Sequence, residues 1–136
     1  MKVLFIASFA SVVADPAAAR RLFVDGFDLS LEGVVGDYVF TEKLGGAKHF
    51  GLWPLAEAAQ ACFGTREWPA GLVVPQACVE FEVEDVAAAA AELTAKGHEI
   101  LHPVREEPWG QTIARVLSPD GMIVGVCRTP HLHAAS

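Results

Sequence analysis

The sequence is short of positive charge. Ten Lys and Arg stand against 17 Asp and Glu in 136 residues, a formal net charge of −7. A nucleic-acid-binding chain needs clustered cations to displace counterions from phosphates, so no nucleic-acid partner is expected. An acidic surface suits a cationic small ligand, although it serves solubility equally well. No apolar run is long enough to span a membrane, so no membrane partner is expected either. Cysteine is scarce: Cys62, Cys78 and Cys127 are odd in number, widely spaced and without a CxxC. That pattern excludes a metal finger and a disulfide framework, and it suits reduced thiols in a cytoplasmic protein.

What is present is apolar. Hydrophobic residues make up 52% and charged residues 20%, a globular composition rather than a disordered one. A chain of 136 residues is expected to form one domain with its own core. The first stretch, MKVLFIASFASVVADPAAA, has the lysine, apolar run and Ala-rich end of a signal peptide. Yet Val3, Phe5, Val12 and Val13 are β-formers, and Asp15-Pro16 opens a helix, so it is read as a buried first strand.

The pattern predicts a strand over Lys2–Val13 and a helix over Pro16–Val24 capped by Asp15. Three short strands follow at Phe27–Leu31, Tyr38–Glu42 and Lys48–Trp53, punctuated by Gly33, Gly36 and Gly45-Gly46. Leu55–Cys62 reads as an Ala-rich helix and Gly64–Pro75 as a loop. Ala77–Val83 then alternates, with Val79, Phe81 and Val83 on one face and Cys78, Glu80 and Glu82 on the other. Asp85 caps a helix over Val86–Lys96 that stops at Gly97. His98–Leu101 is predicted as a strand and Pro103–Pro108 as an exposed loop, with Arg105-Glu106-Glu107 in it. Gln111–Leu117 and Met122–Val126 form a hairpin around Ser118-Pro119-Asp120-Gly121, a sequence suited to a tight reversal. The tail Pro130–Ser136 is expected to fray.

The two halves repeat. FASVVADPAAARRLF (Phe9–Phe23) lies over VEFEVEDVAAAAAEL (Val79–Leu93) at an offset of 70, bringing Asp15 onto Asp85 and Val13 onto Val83. Each half reads strand–helix–strand–strand–strand, and such modules are expected to pair and share an apolar face. The predicted fold class is therefore α+β: two βαβββ modules with mixed sheets curled into an open cleft. The first module covers about 1–54, the linker about 55–75 and the second module about 76–130.

This order, with FEVEDVAAAAAELTAKGHEILHPVREEPWGQTIARVLSPDGMIV (Phe81–Val124), resembles the glyoxalase/bleomycin-resistance/extradiol-dioxygenase superfamily, the vicinal oxygen chelate proteins. The likeness is strongest over Val79–Val126 and weaker over Phe5–Leu31. It implies a small single-domain member, commonly a homodimer whose cleft is built from both chains. It also implies, for the family's enzymes, a divalent metal held by His, Gln or Glu and chelated by two substrate oxygens. The positions that match the family's ligand pattern are Ser8 on the first strand and Cys78 seven residues before Asp85. A third is Gly125, four residues after Gly121, and a fourth falls near Phe50 with His49 beside it. Glycine cannot ligate and serine does so poorly, so no metal and no cofactor are expected.

Candidate ligand-binding residues are Trp109, Trp53, His49, Cys78, Glu82 and Arg115, and no residue is assigned a catalytic role. Trp109, beside flexible Gly110, is either a stacking platform for a flat ligand or a core residue over the hairpin. Trp53 and Trp68 are stacking or packing partners, and His49 is either a polar anchor in the cleft or a satisfied structural histidine. The strand face carrying Cys78, Glu80 and Glu82 lines the cleft or simply faces water. Cys78 lacks an evident base, which speaks against a nucleophile. Arg115 and Gln111 share a face, and parity does not say which. Three functions remain open. One is a metal-free binder of an aromatic or cationic small molecule, of the bleomycin-resistance type. The others are a lyase, isomerase or dioxygenase-like enzyme with an altered metal site, and a dimeric interaction module.

Overall fold

The structure is a computed structural model, describing residues 1–133; the part of the tail at 134–136 lies outside the described residues. The strands are β1 (Phe5–Val13), β2 (Gly33–Val35), β3 (Tyr38–Thr41), β4 (Phe50–Pro54), β5 (Ala77–Glu82), β6 (Arg105–Glu106), β7 (Thr112–Leu117) and β8 (Met122–Arg128). The helices are α1 (Pro16–Arg20), α2 (Leu55–Phe63), α3 (Val86–Ala95) and α4 (Pro130–His133), and α1 continues as a π-helical turn over Arg21–Gly26. Among the described residues the strands form one mixed sheet in the order β2-β3-β4-β1-β5-β8-β7-β6. The α+β class expected from the repeat is the class observed.

The repeat has a physical basis in its caps and pairings. Asp15 Oδ1 accepts from the Ala18 amide at 3.1 Å, and Asp85 Oδ1 accepts from the Ala88 amide at 3.0 Å. Each satisfies a donor that the first helical turn leaves unpaired. In each half the first strand pairs in parallel with the last, β1 with β4 and β5 with β8. The halves join through antiparallel β1 and β5, so both modules of one chain build a single curved surface. On its convex side α1 and its extension lie over Val13, Val39 and Leu52, while α3 lies over Val83, Ala114 and Val126. The small alanines of α3 let it approach the sheet closely.

Three expected elements differ. Phe27–Leu31 is not a strand: the Phe27 and Leu29 amides bond back to the Leu22 and Phe23 carbonyls, finishing the helical turn. The edge strand is Gly33–Val35 instead, set by a two-residue loop at Gly36-Asp37 in which Gly36 has φ 61°. His98–Leu101 is also not a strand; Leu101 donates one bond to the Arg115 carbonyl, and pairing with β7 resumes only at Arg105–Glu106. Finally, the tail does not fray through its first residues, because Pro130–His133 folds as α4 and buries Leu132.

Candidate functional site

The concave face of the sheet has two partial covers. At one end α2 packs Ala58 and Cys62 onto Ala10, Cys78 and Ile123. At the other, Leu132 of α4 packs with Ala7, Ile113 and Cys127. Between the covers lies an open cleft of about 720 Å³ that both modules line. The face of β5 predicted from its alternation is thereby divided into three. Cys78 lies against α2 and still lines the cleft, Glu80 faces the cleft, and Glu82 lies under α4.

Glu82 therefore departs from its expected place. It does not line the cleft and is 0% exposed. Its oxygens accept from the Thr129 amide at 2.6 Å and the Cys127 thiol at 3.4 Å, and one lies 2.6 Å from His133 Nε2. The chain after β8 folds down onto this carboxylate, which anchors one wall of the site.

Glu80 is the carboxylate that faces the cleft. Its Oε1 accepts from Ser8 Oγ and from Gln111 Nε2, both at 3.0 Å. Gln111 also donates to Thr129 Oγ1 at 3.1 Å and accepts from Trp109 Nε1 at 3.1 Å. The indole of Trp109 is thus aimed by its N–H while the residue stays 59% exposed at the mouth of the cleft. It is not a core residue. Trp53 lines the cleft floor, whereas Trp68 packs edge-on against Phe63 at 5.0 Å and donates to the Val73 carbonyl.

The opposite wall is aromatic. Tyr38, Phe40 and His49 stack, with centroids of Phe40 and His49 4.7 Å apart. The Tyr38 hydroxyl lies 2.5 Å from His49 Nε2, and His49 Nδ1 lies 2.7 Å from Glu42 Oε2, which His131 Nε2 also approaches at 3.2 Å. Burial, with Glu80 nearby, pushes the Tyr38 hydroxyl well above its usual range, so it stays protonated as a donor. Burial also acts to raise the Glu42 carboxyl, but hydrogen bonds and charge from His49 and His131 outweigh it, and the net shift is downward.

Arg115 points into the cleft and is 3% exposed, which decides the face that parity left open. Its Nη1 lies 3.1 Å from His102 Nε2, and its guanidinium carbon is 5.5 Å from the centre of the Trp53 ring. The run Arg105-Glu106-Glu107, expected as an exposed loop, supplies two more cleft residues. Arg105 Nη2 reaches the Ala61 carbonyl of α2, and its Nε donates to Glu107 Oε1 at 2.7 Å.

The residues at the family's ligand positions do not fit a divalent metal. Ser8 donates its hydroxyl to Glu80. Cys78 is a lone soft donor, its thiol pushed well above its usual range by burial and by Glu80. Phe50 faces the convex side among Phe9 and Phe23, and both nitrogens of His49 are engaged. Gly125 has no side chain. Among the described residues no three His, Cys, Asp or Glu side chains are grouped to hold an ion. No helix there is long and apolar enough to cross a membrane.

Sequence reasoning missed Tyr38, Phe40, Glu42, Arg105 and Glu107 as cleft groups, and it left the faces of Glu80 and Gln111 open. Strand parity already put Glu80 with Cys78, and Gln111 with Arg115; what it lacked was which turn of the face the two covers leave open.

Comparison with known proteins matches residues 73–130 to the glyoxalase-like domain family. That segment contains the Phe81–Val124 stretch on which the resemblance rests. No curated protein matches the sequence. Among solved structures, a glyoxalase/bleomycin resistance protein/dioxygenase superfamily member from Vibrio splendidus 12B01 is 15% identical, with TM-score 0.63 over 91% of this chain and 99% of that one. A variant of Streptomyces coelicolor methylmalonyl-CoA epimerase in complex with 2-nitronate-propionyl-CoA is 15% identical, with TM-score 0.59 over 95% and 96%. NAD-dependent benzaldehyde dehydrogenase from Legionella pneumophila is 13% identical, with TM-score 0.57 over 90% and 97%. At such identities the likeness is one of fold.

Proposed function

We propose that this chain, which carries a glyoxalase-like domain match in its second half and the superfamily's fold throughout, binds a flat aromatic small molecule in its cleft without a metal. One observation carries the reading. A cleft of about 720 Å³, large enough for a drug-sized ligand, has Tyr38 and Phe40 on one wall, Trp53 on its floor and exposed Trp109 at its mouth. The metal positions beneath hold Ser8, Cys78 and Gly125, so the site offers stacking and hydrogen bonds rather than Lewis acidity. The Trp109 side chain is held by a single hydrogen bond to Gln111, leaving its ring face open for a planar partner.

Titration of aromatic compounds against intrinsic tryptophan fluorescence tests this. Binders are expected to quench the signal, and Trp109→Ala is expected to weaken them about three- to tenfold, the worth of one aromatic stack. An unaltered affinity in Trp109→Ala would remove Trp109 from the site, and a panel without quench or thermal shift would refute the reading. A homodimer is part of the same proposal. It is supported by uncovered edge strands at β2 and β6 and by exposed Val34 and Val35 on the former. Light scattering at micromolar concentration measures it, a monomer mass counting against it.

A further inference from the structure

The buried charges of the cleft are unequally compensated, and the imbalance indicates what the ligand carries. Each cleft carboxylate already accepts a hydrogen bond, from neutral donors at Glu80 and Glu57 and from histidines or Arg105 at Glu42 and Glu107. Glu80 accepts from Ser8 and Gln111, and Glu42 is held by His49 and His131. Glu57 accepts from the Asp37 amide, and Glu107 pairs with Arg105.

Arg115 is different. A guanidinium has five N–H donors. One of these is used on His102, and the buried Nε–H has no partner. His102 cannot supply negative charge. Its Nδ1 lies 2.8 Å from the Pro103 carbonyl, so that nitrogen carries the proton and Nε2 is the acceptor facing Arg115. Burial, together with the neighbouring Arg115, shifts its pKa downward, and the imidazole is neutral near pH 7. The nearest carboxylate oxygen, Glu107 Oε1, is 3.8 Å from Arg115 Nη1 and is shared with Arg105 at 2.7 Å. Two guanidinium groups thus divide one carboxylate.

The strand register gives this charge an address. Ser8 pairs with Glu80, Glu80 with Gly125, and Gly125 with Arg115, so these residues form one row across four strands of the floor. Gly125 contributes no side chain. The row therefore holds an acceptor at Glu80 and a donor at Arg115 with a gap between them, and Trp53 borders the donor end.

Resting on the reading of the cleft as an aromatic site, we propose that its ligand is an aromatic acid whose carboxylate is seated toward Arg115. An amine at that place would meet a buried guanidinium that shares its nearest carboxylate with Arg105.

Three probes with a common ring test the charge alone: phenylacetate, phenylacetamide and phenethylamine, titrated by fluorescence and calorimetry into the intact protein. Phenylacetate is expected to bind at least about tenfold tighter than either analogue, as a charge-assisted hydrogen bond requires. Arg115→Gln is expected to abolish that preference. Because Arg115 is buried and its loss endangers folding, Glu107→Gln provides an independent arm. Removing the competing carboxylate is expected to tighten phenylacetate severalfold, more than Glu42→Gln on the opposite wall does, and to leave phenylacetamide unchanged; a purely structural Arg115 would give no such difference between the two variants. Tighter binding of phenethylamine, or a phenylacetate affinity unmoved by Glu107→Gln, overturns the acid subsite while leaving aromatic binding intact. Failure of all three probes overturns the aromatic cleft itself, and this inference with it.

Discussion

Glu82→Ala is the substitution whose cost can be worked most directly from the structure. The carboxylate is fully buried and accepts from the Thr129 amide at 2.6 Å, with His133 Nε2 2.6 Å from the same oxygen. Hydrogen bonds to a charged group are worth about 1.5–3 kcal/mol each, and a buried amide left without an acceptor adds its own desolvation cost. Removing the carboxylate should therefore cost about 3–5 kcal/mol, from the bonds lost and the Thr129 amide left unpaired. For 136 residues, an unfolding entropy of about 2.1 cal/mol/K per residue makes 1 kcal/mol worth roughly 3.5 °C in Tm. The expected drop is then roughly 10–17 °C by scanning calorimetry. Glu82→Gln keeps one oxygen and should lose about half as much. His133→Ala, which removes one partner from a partly exposed position, should cost less than either. A Glu82→Ala shift under roughly 4 °C would refute the carboxylate's role as the anchor of α4.

Two further perturbations address the cleft floor and its thiols. A Cβ added at Gly51 would land on the Tyr38 ring, whereas one added at Gly125 meets flexible Glu80 Cγ and Ile113 Cδ1 at 3.2 Å. Gly51→Ala should cost about 1–3 kcal/mol in urea denaturation and Gly125→Ala less, and equal costs would show that Tyr38 is not seated over Gly51. Burial pushes up the thiols of Cys62, Cys78 and Cys127, so all three should react slowly with a disulfide reagent at about pH 8 in the native protein and fast in denaturant. Rapid native labelling of even one thiol would contradict its placement.

The sequence is most legible where the structure depends on neighbours a few residues away. Asp15 and Asp85 cap their helices because a carboxylate three residues before an amide reaches it regardless of what lies beyond. The Ser118–Gly121 reversal is local in the same sense, closed by the Gly121 amide on the Ser118 carbonyl and by the Ser118 side chain on the Met122 amide. Legibility fails where a distant partner decides. Arg105-Glu106-Glu107 is a solvated loop by composition, but the carbonyl of Ala61, 44 residues earlier, draws the Arg105 side chain inward. The tail reads as frayed because nothing in its own composition reveals that Glu82, 51 residues before His133, requires donors. The same reason explains Glu82 itself: parity gives its face, but only α4 determines that this part of the face is closed.

The two glycines of the floor bear on the chemistry as well. Ala10 pairs with Gly51 in the first module and Glu80 with Gly125 in the second, and Ala10 and Glu80 are themselves related by the offset of 70. The last parallel strand of each module thus presents glycine at the same place. If Gly125 alone lacked a side chain, a single lost ligand atom would describe the site. With both positions bare, the space above them has been given to other groups: the Tyr38 ring covers Gly51, and Glu80 and Arg115 flank Gly125. A carboxylate introduced at Gly125 would not build a metal site, because it would crowd Glu80 and Ile113 and find only a hydroxyl at Ser8 and a lone thiol at Cys78 as companions. The floor sets an acceptor at Glu80 and a donor at Arg115 on either side of a bare glycine, the arrangement on which the proposed acid subsite rests.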